Sequence, residues 1–166
     1  MLPRRLVLAQ GAALALGACG FQLRGAPELA FASLFVNVGE TSALGNEIKR
    51  NLGSLGRLRV MTAPTPQADA QAVLDILSEL REKTVVGVNA TGQVREFQLR
   101  VRMRFRLRTP QGKELIPETE LLQQRDISFN ESAVLAKEAE EGLMYRAMQS
   151  DIVQQLMRRL AAVRAL

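Results

Sequence analysis

The order of elements in this chain, a strand, a helix, several strands in hairpins and a last helix, predicts an α+β fold: a two-layer sandwich with two helices on one face of a mostly antiparallel four- to five-stranded sheet. Two patterns carry the prediction. "VREFQLRVRMRFRLR", Val94 to Arg108, alternates apolar and polar or basic residues along most of its length, which is the period of a half-buried strand. Two other stretches, opening at Ser42 and Ser132, space their apolar residues three and four apart, as helices lying on the apolar side of such a strand would.

Taken in order, "SLFVNV", Ser33 to Val38, is β-rich and apolar and reads as the first strand. Ser42 then caps a helix whose Leu44, Ile48, Leu52 and Leu55 share a face, and Gly53 and Gly56 mark its end. "RLRVM", Arg57 to Met61, alternates as a second strand before Pro64 and Pro66 break the chain. Ala72 to Val86 has helical propensities but strand-like alternation at Leu74, Ile76, Ser78 and Leu80; periodicity alone does not decide it, and the hairpin turn "VNATGQ" that follows favours a strand. In the next strand Phe97, Leu99, Val101, Met103, Phe105 and Leu107 face one way, while Arg100, Arg102, Arg104, Arg106 and Arg108 face the other. Leu115 to Phe129 returns as its partner, with Leu121, Ile127 and Phe129 buried and Pro117 limiting the pairing near its start. Ser132 to about Val163 is a long helix with Met144, Met148, Ile152, Leu156, Leu160 and Val163 along one stripe. At 1.5 Å per residue it runs about 45 Å, longer than the sheet is expected to be wide, so one end is free to project.

With 166 residues, 47% apolar and 23% charged, the chain suits one folded unit rather than two. It contains no histidine and one cysteine, Cys19, which removes zinc sites, Cys/His dyads, Ser/His/Asp triads and internal disulfides by residue type. No catalytic constellation, metal site or cofactor is expected. The formal charge of +5 points instead to an anionic partner.

The first residues say where that partner is met. Arg4 and Arg5 precede an apolar run from Leu6 to Leu16, shorter than the roughly 20 residues a membrane-spanning helix needs, so residues 1–18 read as an export signal. Leu16-Gly17-Ala18-Cys19 resembles the bacterial lipobox, and that resemblance implies S-diacylglycerol and N-acyl modification of Cys19 after cleavage before it. Two or three acyl chains, at about 0.8 kcal/mol per buried methylene, anchor a protein stably where one does not. Residues 19–30 then form a lipidated tether and 31–166 the single domain. Gly20 resembles the residue that sends lipoproteins on to the outer membrane. The arginine pair does not separate general from twin-arginine export. Loss of residues 1–18 lowers the side-chain charge from +5 to +3, so most of the basic character stays with the exported body. Export opposes the nucleic-acid reading that "RVRMRFRLR" would otherwise invite, as does the lack of outward aromatics for stacking.

Three stretches together resemble the lipopolysaccharide-assembly lipoprotein family LptE: "CGFQLRG" from Cys19, "TGQVREFQL" from Thr91, and "ESAVLAKEAEEGLMYRAMQSDIVQQLMRRL" from Glu131. The resemblance implies an α/β sandwich and a non-enzymatic outer-membrane lipoprotein. Such a protein partners and plugs the lumen of a large β-barrel, LptD, while lipopolysaccharide passes to the surface. The arginine density between Arg100 and Arg108 departs from a typical member. Arg100, Arg102, Arg104 and Arg106, with Lys137 at the start of the long helix, are the candidate contacts to lipopolysaccharide or the barrel lumen. The plainer expectation is a solvated face balanced by acids such as Glu118 and Glu120, and an ion pair between Lys137 and Glu138, Glu140 or Glu141. An auxiliary lipoprotein of a lipid-transport complex at the periplasmic side of the inner membrane is the alternative role.

Overall fold

The computed structural model describes residues 29–166, so the export signal, Cys19 and all but the last two residues of the tether lie outside the described residues. The elements run β1 (Ser33–Asn37), α1 (Ala43–Gly53), β2 (Arg59–Met61), β3 (Ala72–Val88), β4 (Val94–Arg108), β5 (Glu114–Ser128) and α2 (Val134–Ala161). They form an open five-stranded sheet in the order β2-β1-β3-β4-β5 with the two helices, an α+β fold as the sequence predicts. The long β3-β4-β5 meander is antiparallel, and the two short strands β1 and β2 join it in parallel.

The parallel corner follows from α1, which carries the chain from the end of β1 back to the start of β2. Ser42 caps this helix as expected, its Oγ accepting from the Gly45 amide at 2.8 Å. Gly45 allows the close approach: a Cβ there would come within 2.7 Å of both Val38 methyls. Residues 62–71 then cross the opposite face of the sheet, where Phe35, Ala70 and Val73 form a small second cluster with Met61.

Ala72 onward is a strand, two residues longer than the sequence suggests. It pairs with β1 over Ala72–Asp75 and with β4 along nearly its whole length, and this pairing overrides its helical propensity. The main core lies between the sheet and the helices: Leu34 and Val36 of β1, Leu74 of β3, the row Leu99 to Leu107 of β4, Leu121 and Ile127 of β5, Leu44, Ile48 and Leu52 of α1, and Met148, Ile152, Leu156 and Leu160 of α2. Phe129 is half-buried and meets Phe97 edge to face at 5.3 Å. Pro117 sits where the β4-β5 register slips, between the pairs Phe105↔Thr119 and Leu107↔Ile116.

The long helix begins two residues later than expected. Asn130 caps a 3-10 turn, Glu131–Ala133, its Oδ1 accepting from the Ser132 amide at 3.0 Å, and the α-helix follows from Val134. Full burial on α2 starts only at Met148. The preceding half is tied to the strands by polar contacts instead, Lys83 to Glu141 at 2.6 Å and the Tyr145 hydroxyl donating to the Glu82 carbonyl at 2.8 Å, and where burial begins Arg81 donates to Gln149 at 2.6 Å. Burial and the nearby Glu141 charge raise the Tyr145 pKa, against the opposing effect of Arg81.

Candidate functional site

Alternation along β4 places Arg100, Arg102, Arg104, Arg106 and Arg108 on the face away from the helices, each about 7 Å from the next. The register supplies their cross-strand neighbours. Arg100 lies beside Glu82 and Gln124, Arg102 between Leu80 and Leu122, Arg104 between Ser78 and Glu120, and Arg106 beside Asp75. The row is continuous, but its members are held very differently.

Arg106 and Arg108 belong to a structural knot. Both donate from Nε to Asp75 Oδ2, at 2.9 and 2.8 Å, and Asp75 Oδ1 accepts from Asn37 Nδ2 at 2.9 Å. Arg108 also donates to Gln67 at 3.0 Å, so β1, β3, β4 and the crossing segment meet at one carboxylate that is 4% exposed. Burial pushes the Asp75 pKa up, but hydrogen bonds from Arg108, Asn37 and Arg106 outweigh it and hold the carboxyl below its ordinary value. Sequence reasoning passed over Asp75. Its signal was an acid on the outward parity of β3, opposite the outward parity of the arginines.

The middle of the row is looser. Arg104 pairs with Glu118 at 2.8 Å and donates to Ser78 at 3.1 Å, one of the acid partners expected from the sequence. Arg102 lies 3.7 Å from Glu120 and 3.8 Å from Glu82, too far to hydrogen-bond either. Arg102 Nε and Glu82 Oε2 are both buried atoms without a hydrogen-bond partner among the described residues. Arg100 turns back along its own strand to Gln98, its Nε donating at 2.8 Å. Leu80 and Leu122, both exposed, flank Arg102, so the centre of this face offers guanidinium groups beside aliphatic surface.

Lys137 stands apart from the row. Its Nζ donates to Glu140 at 2.8 Å and to Ser128 at 3.1 Å, near the end of β5 that pairs with Glu96, about 30 Å along the sheet from Arg106. The i,i+3 pair is the plainer of the two expectations for this residue, while Glu141 is taken by Lys83. Among the described residues no group of His, Cys, Asp and Glu side chains is arranged to hold a metal ion.

The model of the family described as "LptE: Lipopolysaccharide-assembly" matches residues 31–160, nearly the whole of this fold. The chain belongs to the LptE family. A solution structure of an uncharacterized lipoprotein B from Nitrosomonas europaea is 31% identical, covers 86% of this chain and 91% of its own, and superposes with a TM-score of 0.72. The rare lipoprotein B from Shewanella oneidensis, at 21% identity, covers 78% and 94% with a TM-score of 0.65. A minor lipoprotein from Acinetobacter baumannii, at 20%, covers 81% and 94% with a TM-score of 0.63. These last two show the same fold. No curated protein matched the chain. This LptE-family member is thus a lipopolysaccharide-assembly lipoprotein by descent, and its arginine face lies on the side of the sheet that the helices leave open.

Proposed function

We propose that this protein is an acylated outer-membrane lipoprotein, anchored through Cys19, that partners and plugs an LptD-like β-barrel during transport of lipopolysaccharide to the cell surface. The match to the LptE model over residues 31–160 carries the reading. It is a structural and binding role, not catalysis. The open face supports it physically: barrel lumens are polar, so a plug needs a charged outer surface where an ordinary dimer would present an apolar one.

Within that role Arg100 and Arg102 are the groups that meet an anion. Arg106 and Arg108 are spent on Asp75 and Arg104 on Glu118, whereas Arg102 has carboxylates nearby but bonds neither. A guanidinium offers phosphate two parallel donors, and lipopolysaccharide is rich in phosphate. Affinity purification of the acylated protein from solubilised outer membranes tests the partnership. A large β-barrel in stoichiometric amount supports it; recovery with an inner-membrane transporter would replace it with the auxiliary lipid-transport role.

A further inference from the structure

The chain leaves β1 through α1, on the core face of the sheet, and leaves the parallel neighbour β2 through residues 62–71, on the opposite face. Adjacent parallel strands whose connections part in this way open a crevice between their carboxyl ends, where open sheets commonly hold a ligand. Strand length widens the opening here, because the last β1-β2 pair is Phe35↔Met61 while β1 runs on to Asn37. A cavity of about 190 Å³ lies at this place. The end of β1 from Phe35 through Val38 lines it, with Glu40 beyond the strand, Lys49 of α1, and Thr62 and Ala63 after β2.

Its polar side chains are largely unspent. Lys49 is half-buried yet makes no hydrogen bond or ion pair among the described residues, whereas Lys83 and Lys137 are both ion-paired. The Glu40 carboxylate and the Thr62 hydroxyl are likewise without a partner among the described residues. Asn37 gives the cavity a fixed wall, since its Nδ2 donates to Asp75 in the arginine knot. A lone anion would gain Lys49 and be repelled by Glu40. A ligand with both charges satisfies both side chains through charge-assisted hydrogen bonds.

We propose that this cavity binds a small zwitterion, its acid group on Lys49 and Thr62 and its ammonium on Glu40. The volume sets the size: a cavity of roughly 150 Å³ admits benzene, whereas drug-sized ligands take roughly 300 to 1,000 Å³. An amino acid, an aminoalkyl phosphate or a headgroup of that chemistry fits, and an acyl chain or a saccharide does not. The site is built on β1, β2 and α1 rather than on β4, so the inference holds whether or not a barrel is the partner.

O-Phosphoethanolamine and glycine carry both groups, while inorganic phosphate and ethanolamine carry one each. Titrated into isotope-labelled protein purified in non-ionic detergent, a zwitterion produces saturable amide shifts confined to residues 36–40, 49 and 62–63. Phosphate and ethanolamine bind at least about tenfold more weakly. Lys49→Met weakens binding of the zwitterion about tenfold. Glu40→Gln also weakens it but strengthens binding of phosphate, a reversal that only a charge at the site gives. Circular dichroism confirms that each variant is folded, and Lys49→Gln carries the same test if Lys49→Met is not. Phosphatidylethanolamine in the micelle that displaces the bound zwitterion identifies the ligand as a lipid headgroup; retention of the zwitterion identifies a free solute. Phosphatidylcholine, whose methylated amine has no N–H for Glu40, displaces it in neither case. No saturable shift with either zwitterion, shifts centred on β4, or phosphate binding as tightly as O-phosphoethanolamine overturns the proposal.

Discussion

Arg108 holds Asp75 through two nitrogens on one side of its guanidinium, Nε to Oδ2 at 2.8 Å and Nη2 to Oδ1 at 3.5 Å, and both side chains are largely buried. Removing one member of such a pair leaves an uncompensated charge, so Asp75→Asn should cost about 3 kcal/mol at neutral pH, read as a lower urea midpoint. The pH dependence follows in sign. The folded pKa of Asp75 lies below its ordinary value, so its contribution is fully present above the unfolded carboxyl pKa, about 3.9, and is lost as pH falls through the folded value. The gap between wild type and Asp75→Asn should therefore narrow steadily below about pH 4. A constant gap would show that the charge of Asp75 is not what stabilises the knot.

The arginines of β4 should divide by partner rather than by position. Arg100→Gln with Arg102→Gln should change stability by less than about 1 kcal/mol, because neither guanidinium hydrogen-bonds a carboxylate. Binding of purified lipopolysaccharide should weaken, with a shallower dependence on salt. Arg106→Gln with Arg108→Gln should do the reverse, destabilising the fold. Equal loss of binding from both pairs, measured on folded protein, would mean that the whole row acts as one surface.

Phe105 of β4 is fully buried between the sheet and the helices, in the main core. Phe105→Ala should cost about 3 to 5 kcal/mol by the cavity it leaves, seen in chemical unfolding. Its neighbour Arg104 faces outward, and Arg104→Ala should cost under about 1 kcal/mol. This contrast between adjacent positions tests the alternation directly.

Much of this architecture was legible because β4 displays its two faces in sequence. The apolar row named Phe97 to Leu107 as core and the arginines as the open side, and the leucines of α1 and the stripe from Met148 on α2 did the same for the helices. Local pattern could not show which strands were neighbours. The parallel seating of β1 and β2 depends on α1 and on residues 62–71 crossing opposite faces. Pattern also could not separate Arg106 from Arg100, since both occupy the same parity. The difference lies in Asp75, 31 residues before Arg106, which register alone brings opposite one and not the other. The pairing of Lys137 along its own helix was legible from spacing, but its second partner was not, since only the strand end beneath it supplies Ser128.

Cys19→Ser should leave an unprocessed precursor that takes up no labelled palmitate. Normal labelling of that variant would place the anchor on another residue.

The barrel-partner account is tested most directly by a photo-crosslinking side chain at Leu122, exposed on the open face beside Arg102, in growing cells. The account predicts a crosslink to a large outer-membrane β-barrel. A crosslink to an inner-membrane transporter, or none to any barrel while the protein is present and acylated, would contradict it.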